Sequence, residues 1–346
     1  MTVASTPRTT TPSKRVLDSA QFISRRSHDV SVPTKGILHA TKEIQHRMKQ
    51  SNYSTSSWKS HPLNPKTADS SAIEWIFLID ALNFSFWTTR PTNEQYAVTL
   101  DEKTYRGYWS LCAAVNRAQR EGVDLTDARV YARISEEELR QVFRTDDPRV
   151  QEEIPMFQER LHVLHEVGRV LVDKYQGRFA NLLKECHGSA QAVAERVVGE
   201  FPCFRDEHLY RGKSVAMYKR AQILVADLWA CFEGCGAGAF KDIDQVTMFA
   251  DYRVPQALYH FGALRYSPRL MRHLREDGRL PSGHPWEVEI RANSIWAVEC
   301  IRRQLQADGC KDINAVLIDF YMWDYAKDNA EAMQDIPIHL TRSVFY

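Results

Sequence analysis

Residues 215–232 read "VAMYKRAQILVADLWACF", and the reading of this stretch sets the fold class. Apolar and aromatic side chains return near i, i+3 and i+4, the period of a helix with one face turned inward. Lys219, Arg220 and Gln222 interrupt an otherwise apolar helix. A cation in such a place is costly unless it is paired or put to use. The same period recurs in "KTYRGYWSLCAAVNRAQREG", "QERLHVLHEVGRVLVDKY", "AQAVAERVVGEF", "EVEIRANSIWAVECIRRQL" and "VLIDFYMWDYAKD". "SEEELRQVF" opens with a capping box at Ser135 and Glu138. Alternating patterns are few, so the class is mainly α with a few short strands. "AIEWIFLIDALNFSFW" (72–87) reads either as a buried strand ending in a turn or as a core helix, and periodicity does not decide between them.

Outside these runs, "MTVASTPRTTTPSK" is rich in Ser, Thr and Pro and has no apolar period. It predicts a disordered tail, placed over residues 1–34, with one domain over 35–346. "TKGILHATKEIQHRMK" predicts a helix, and "SNYSTSSWKSHPLNPK" a loop broken by Pro62 and Pro65. The formal net charge of the 346 residues is +1, so no overall field draws the chain to nucleic acid or an anionic membrane. No apolar run approaches the roughly 20 residues that span a bilayer. The 7 cysteines are scattered and odd in number. With no secretory signal to read, they predict reduced thiols and a cytoplasmic location, organellar targeting remaining open. Cys231 and Cys235, four apart, are expected on one helical face. No second pair accompanies them at zinc spacing, so neither metal nor cofactor is expected.

Four places set polar groups among aromatics. They are Asp80 with Asn83, Phe84 and Trp87; Lys219 with Arg220 and Gln222; Asp251 with Tyr252 and Arg253; and Asp319 with Trp323 and Asp324. Asp319 and Trp323 are i, i+4 and share a helical face. A carboxylate beside a flat ring suits a planar heterocycle, which stacks on the ring and donates N–H bonds to the acid. No P-loop, GxGxxG, HExxH or GxSxG motif is present.

The order "YKRAQILVADLW", a Gly-rich connection, then "FADYRVPQAL" resembles helix-hairpin-helix DNA glycosylases, whose catalytic aspartate falls on Asp251. Their Gly-x-Gly hairpin is absent; "RGKSVAMY" stands there instead. A wider resemblance covers about residue 35 onward. "FLIDALNFSFW", "YKRAQILVADLW", "FADYRVPQAL", "VEIRANSIWAVECIR", "DFYMWDYAKD" and "HLTRSVFY" resemble the queuosine salvage protein family. The resemblance implies a helical glycosylase-like fold and hydrolysis of queuosine 5′-phosphate to release queuine, a 7-deazaguanine base. A small-molecule nucleotide is then the partner, with no direct contact to nucleic acid and no membrane. The alternatives are a DNA-repair glycosylase and a non-catalytic modified-purine-binding protein.

On that resemblance Asp251 stabilises the oxocarbenium-like transition state at C1′, by a covalent or a dissociative path. Asp319 accepts from the guanine-like edge. His61 donates to the base or its side chain, Trp87, Phe84 and Trp323 stack, Phe249 walls the pocket and Asn83 helps bind the base. Lys219 and Arg342 are expected at the 5′-phosphate, ahead of Lys213. Asp80, Tyr252, Arg253 and Asp324 support the site, Arg253 by pairing with Asp251 or Asp324. The aromatic ending "RSVFY" predicts a segment that packs against the body.

Overall fold

The computed structural model describes residues 10–346. In chain order the elements are α1 (Pro12–Ser24), β1 (Val30–Ser31), α2 (Thr34–Gln50), α3 (Thr55–Ser60), α4 (Ser70–Ala81), β2 (Ala97–Leu100), β3 (Lys103–Arg106), α5 (Tyr108–Arg120), α6 (Ala128–Tyr131), α7 (Glu136–Val142), α8 (Phe157–Tyr175), α9 (Phe179–Glu185), α10 (Ala190–Glu200), β4 (Glu207–Tyr210), β5 (Lys213–Ala216), α11 (Lys219–Cys231), α12 (Val254–His260), β6 (Arg265–Tyr266), α13 (Pro268–Glu276), α14 (Pro285–Ala307) and α15 (Ala315–Asp328). The strands make small antiparallel pairs, β1 with β6, β2 with β3 and β4 with β5. The mainly α expectation holds. The capping box also holds: the Glu138 N–H donates to Ser135 Oγ at 3.2 Å, and the Ser135 N–H donates to Glu138 Oε2 at 2.8 Å.

The run at 72–87 resolves as a helix followed by extended chain. Asp69 starts α4 by accepting the N–H groups of Ser71 (2.9 Å) and Ala72 (3.1 Å). Every residue from Ala72 to Ala81 is buried, and α8, α9 and α11 pack on the helix. Its last carbonyls would be orphaned in the core. Arg220 donates to Ala81 O, and Arg160 to Leu82 O (2.5 Å) and Phe84 O (2.6 Å). Arg220 on its apolar helix is thus a cap for a neighbouring helix. α11 also packs on α3 and α10.

α14 is the second organising element, 23 residues long and buried over most of its length. α1, α2, α12 and α15 pack around it. Several of its buried polar residues are paired inside the core. Arg291 donates to Asp206 Oδ2 at 2.6 Å and to Glu287 Oε1 at 3.2 Å. Its guanidinium also lies 3.8 Å from the centre of the Tyr346 ring. Tyr346 donates its hydroxyl to Glu287 Oε1 at 2.8 Å, and its carbonyl accepts the Ser85 N–H at 2.8 Å. The aromatic ending packs as expected.

Several expectations are corrected. Residues 1–9 lie outside the described residues, but 12–24 form α1 rather than a tail. Val16, Ala20 and Ile23 are completely buried on one face of this helix, against α14. Ser13 is also held, its N–H donating to Gln191 Oε1 at 3.0 Å. A low density of apolar residues hid a short i, i+4, i+7 stripe. Lys103–Arg106, read with the helix that follows, is a strand; Gly107 at φ 61° makes the break. The loop reading of 51–66 misses α3. Cys235 lies beyond the end of α11, so it does not share a helical face with Cys231. "RGKSVAMY" forms the turn and second strand of the β4–β5 hairpin, where Arg211 (φ 49°) and Gly212 (φ 77°) make the turn.

Candidate active site

A cavity of about 480 Å³, within the range of small-ligand sites, opens between α3, the segment after α4, α11, the segment before α12, and α15. Helical spacing aims one row of side chains from each long helix into it. On α11 these are Lys219, Ile223 and Asp227; on α15, Asp319, Trp323 and Lys327. Both rows run i, i+4, i+8.

The acidic side of the cavity is held by backbone. Asp251 Oδ1 accepts the N–H groups of Arg253 (2.9 Å) and Val254 (2.8 Å), which fixes the carboxylate at the entry to α12. Asp319 Oδ1 accepts the Phe249 N–H at 2.9 Å. One short segment, 249–254, is therefore tied to both carboxylates. In each, Oδ2 accepts no hydrogen bond from the described residues, leaving it for a ligand. Desolvation raises the Asp251 pKa, and the Lys219 ammonium opposes the rise. Desolvation also raises Asp319 well above the usual carboxylate range, and the Asp251 charge adds to it.

Lys219 is buried, and its Nζ donates to Asn83 O at 3.3 Å. The charges of Asp251, Asp80 and Asp319 act on it. Asp80 lies behind the cavity wall, where Asn83 Nδ2 donates to its Oδ1 at 3.2 Å and its Oδ2 has no partner. Burial pushes the Asp80 and Asp227 carboxyls up, with the Lys219 charge opposing in both.

The other walls are flat rings. His61 stacks on Trp109, ring centres 3.3 Å apart at 13°. Its Nδ1 accepts the Leu63 N–H at 3.3 Å, so the neutral ring carries its proton on Nε2. Burial, then the charges of Lys103 and Lys66, lower its pKa to about 4. Trp323 meets Trp109 and Tyr108 edge to face. Asp324 accepts the Tyr53 hydroxyl at 2.5 Å. Phe249, Tyr252 and Trp87 also line the cavity.

The structure thus brings together Asp251, Asp319, His61, Phe249, Trp323, Asn83, Trp87, Lys219, Tyr252, Arg253 and Asp324. It does not bring Asp80, Phe84 or Arg342 to the cavity surface. Phe84 is fully buried under the Arg160 guanidinium at 4.4 Å. Arg342 stacks on Trp87 at 3.7 Å and donates to Ser85 O at 3.0 Å, so it braces the wall from outside. Lys213 sits on β5 over the Phe22 ring, away from the cavity. Arg253 makes no ion pair with Asp251 or Asp324; its side chain reaches Gln256 Oε1 at 3.3 Å. Sequence reasoning missed Asp227, Tyr53, Trp58, Tyr108 and Trp109. Asp227 had a signal, lying two helical turns from Lys219. Tyr53 and Trp58 fell in the stretch read as loop, and nothing in the sequence aims Trp109 at Trp323.

Among the described residues, no group of three or more His, Cys, Asp or Glu is placed to hold a metal ion. No helix among them is long and apolar enough to cross a membrane.

The fold and the cavity define a mainly α protein built around a deep, ring-walled ligand site with a carboxylate side. The chain belongs to the queuosine salvage protein family, whose model matches residues 63–346. A Mus musculus protein named queuosine 5′-phosphate N-glycosylase/hydrolase is 43% identical over 336 residues, covering 95% of this chain and 98% of its own. A Schizosaccharomyces pombe protein of the same name is 42% identical, covering 91% of this chain and 92% of its own. A Sphaerobacter thermophilus protein, again so named, is 41% identical over 79% of this chain and 80% of its own.

Proposed function

We propose that the chain hydrolyses the N-glycosidic bond of queuosine 5′-phosphate, giving queuine and ribose 5-phosphate. One observation beyond family membership carries the reading. Two buried carboxylates, Asp251 and Asp319, each keep an oxygen free toward one cavity while a shared backbone segment holds them in place.

Cleavage of the bond between C1′ and the base nitrogen develops positive charge on C1′ and the ring oxygen. Asp251 meets that charge as it appears, in a site where water screens it little. Its fixed Oδ1 leaves Oδ2 to face C1′, and either a covalent adduct or an attacking water uses the same oxygen. The bonding electron pair leaves with the base. A 7-deazapurine has no N7 to protonate, so the electron pair must be stabilised elsewhere on the ring. Asp319 accepts from N1–H and the exocyclic amine and fixes the base plane. Trp323, Phe249 and the His61–Trp109 stack enclose the rings, and His61 Nε2–H donates to the base or its side chain. Lys219, set among the carboxylates, opposes the rise that burial causes in the Asp251 pKa and so favours its ionised form.

The test is direct. Purified protein is incubated with queuosine 5′-phosphate, and free queuine is measured by chromatography. Release with turnover supports the reading. Tight binding without release would make the chain a carrier of the modified purine.

A further inference from the structure

Several cations face this cavity without an ion pair among the described residues, and Arg253 and Lys327 are set apart from the rest by their surroundings. Arg253 and Lys327 both line it, and neither makes an ion pair among the described residues. Among the described residues the Arg253 guanidinium makes one side-chain hydrogen bond, to Gln256 Oε1 at 3.3 Å. Lys327 is exposed at the rim, over the Trp323 ring at 5.7 Å. Arg253 immediately precedes α12, which packs on α15, the helix that carries Lys327. Partial desolvation, and then the Arg253 charge, lower the Lys327 pKa. Like charges left facing one another around a cleft mark a place for an anion.

The other cations fit an anion less well. Lys219 is already surrounded by the charges of Asp251, Asp80 and Asp319. Arg342 is turned out of the cavity onto Trp87. Arg106 lines the cavity on the side of the β2–β3 hairpin, with its Nε given to Thr92 O at 3.1 Å. Arg253 is anchored to the reacting carboxylate, since its own N–H donates to Asp251 Oδ1 at 2.9 Å. Lys327 ends the row Asp319–Trp323–Lys327, eight residues or about 12 Å of helix. That length is comparable with the span of a nucleotide from the amino edge of its base to its 5′-phosphate.

We infer that Arg253 and Lys327 form the subsite for the 5′-phosphate, with α15 as the ruler that sets base edge, ring plane and phosphate in line. The inference rests on the reading of this cavity as a queuosine 5′-phosphate site. Arg253 gives a forked donor and Lys327 a mobile point charge, a pairing suited to a phosphate dianion. Binding energy gained there, remote from C1′, orients the ribose over Asp251.

The test compares kcat/KM for queuosine 5′-phosphate and for queuosine in the full-length wild type, Arg253→Met, Lys327→Met and Arg106→Met. The ratio of the two substrates should fall by about tenfold in each of the first two variants, and hold in Arg106→Met. Inhibition by ribose 5-phosphate should weaken in parallel. A ratio unchanged in Lys327→Met, an exposed position where folding is not at risk, would overturn the subsite. So would a fall carried by Arg106→Met alone. Failure of the wild type to release queuine from either substrate would instead overturn the underlying reading.

Discussion

Arg291 donates through Nε to the carbonyl oxygen of Ala250 at 2.8 Å, one residue ahead of Asp251. The same guanidinium is clamped by Asp206 and Glu287. Asp206 in turn accepts the backbone N–H of Lys219 at 3.1 Å. A buried ion network thus fixes two cavity-lining segments at once, from beneath. Arg291→Met removes the guanidinium from two buried acids, leaving Asp206 with His208 and the Lys219 N–H and Glu287 with the Tyr346 hydroxyl and the Gly283 N–H. The loss of the buried countercharge should cost about 3–5 kcal/mol. Urea unfolding of wild type and variant measures it, and a loss under 1 kcal/mol would show that water or rearrangement satisfies the acids.

Asp251→Asn should fold normally and lose about 10²–10³ in kcat. The amide oxygen can still accept from Arg253 and Val254, so the entry to α12 is kept while the charge facing C1′ is removed. Near-normal turnover in single-turnover assays would move the catalytic role to another carboxylate of the cavity.

Asp319→Asn separates recognition from structure more cleanly than Asp319→Ala. The amide keeps an acceptor for the Phe249 N–H but turns a donor toward the donor edge of the base. Queuine affinity should fall by about tenfold or more, with the melting temperature little changed. The raised pKa of Asp319 adds a pH signature. A guanine-type edge binds the ionised acid, so proton and base compete, and wild-type affinity for queuine should weaken as pH is lowered. Calorimetric titration that finds affinity flat with pH and unchanged in the variant would place the base edge elsewhere.

Removal of residues 1–30 should impair folding, because it deletes α1 and with it Val16, Ala20 and Ile23 from the core. Loss of three such side chains exposes the facing surface of α14 and α10. Soluble yield and thermal melting of the truncated chain check this; a truncated protein as stable as the full chain would make α1 an ornament.

Asp324 gives a pH test of stability. Desolvation raises its pKa from the ordinary 3.8 to about 6, against the opposing Tyr53 hydrogen bond. A carboxyl raised on folding binds its proton more tightly in the folded state. Its contribution is fully present below pH 3.8 and is lost as pH rises through about 6. Asp324→Asn removes that dependence. The melting temperature of wild type minus that of the variant should therefore decline between pH 4 and pH 7; a rising or flat difference contradicts it.

Sequence pattern carried the long helices well, because α8, α11, α14 and α15 keep their apolar period through many turns. It failed where the signal is short. α1 shows its stripe in three residues, and α3 buries none of its six. At the site, Asp251 and Asp319 stood out as acids in apolar runs, and the cavity collects both. Arg220 stood out in the same way and Arg342 was expected at the 5′-phosphate, yet one caps α4 and the other stacks on Trp87. A lone sequence shows that a buried charge needs an answer; which backbone carbonyl or ring answers it is settled by distant chain. Lys327 went unnoticed for the opposite reason, since a lysine near the end of a helix looks ordinary.

The placement of α1 also bears on how the chain is made. Asp29, just past α1, gives its N–H to Glu289 on α14, 260 residues later, and β1 pairs with β6. During synthesis the first helix leaves the ribosome long before its partner surface exists. Its apolar stripe must stay soluble until α14 has been translated, so closure of the core comes late and depends on the whole intervening length. Nascent chains stalled before residue 285 should leave α1 open to protease, and those stalled well beyond 307, with α14 clear of the exit tunnel, should protect it.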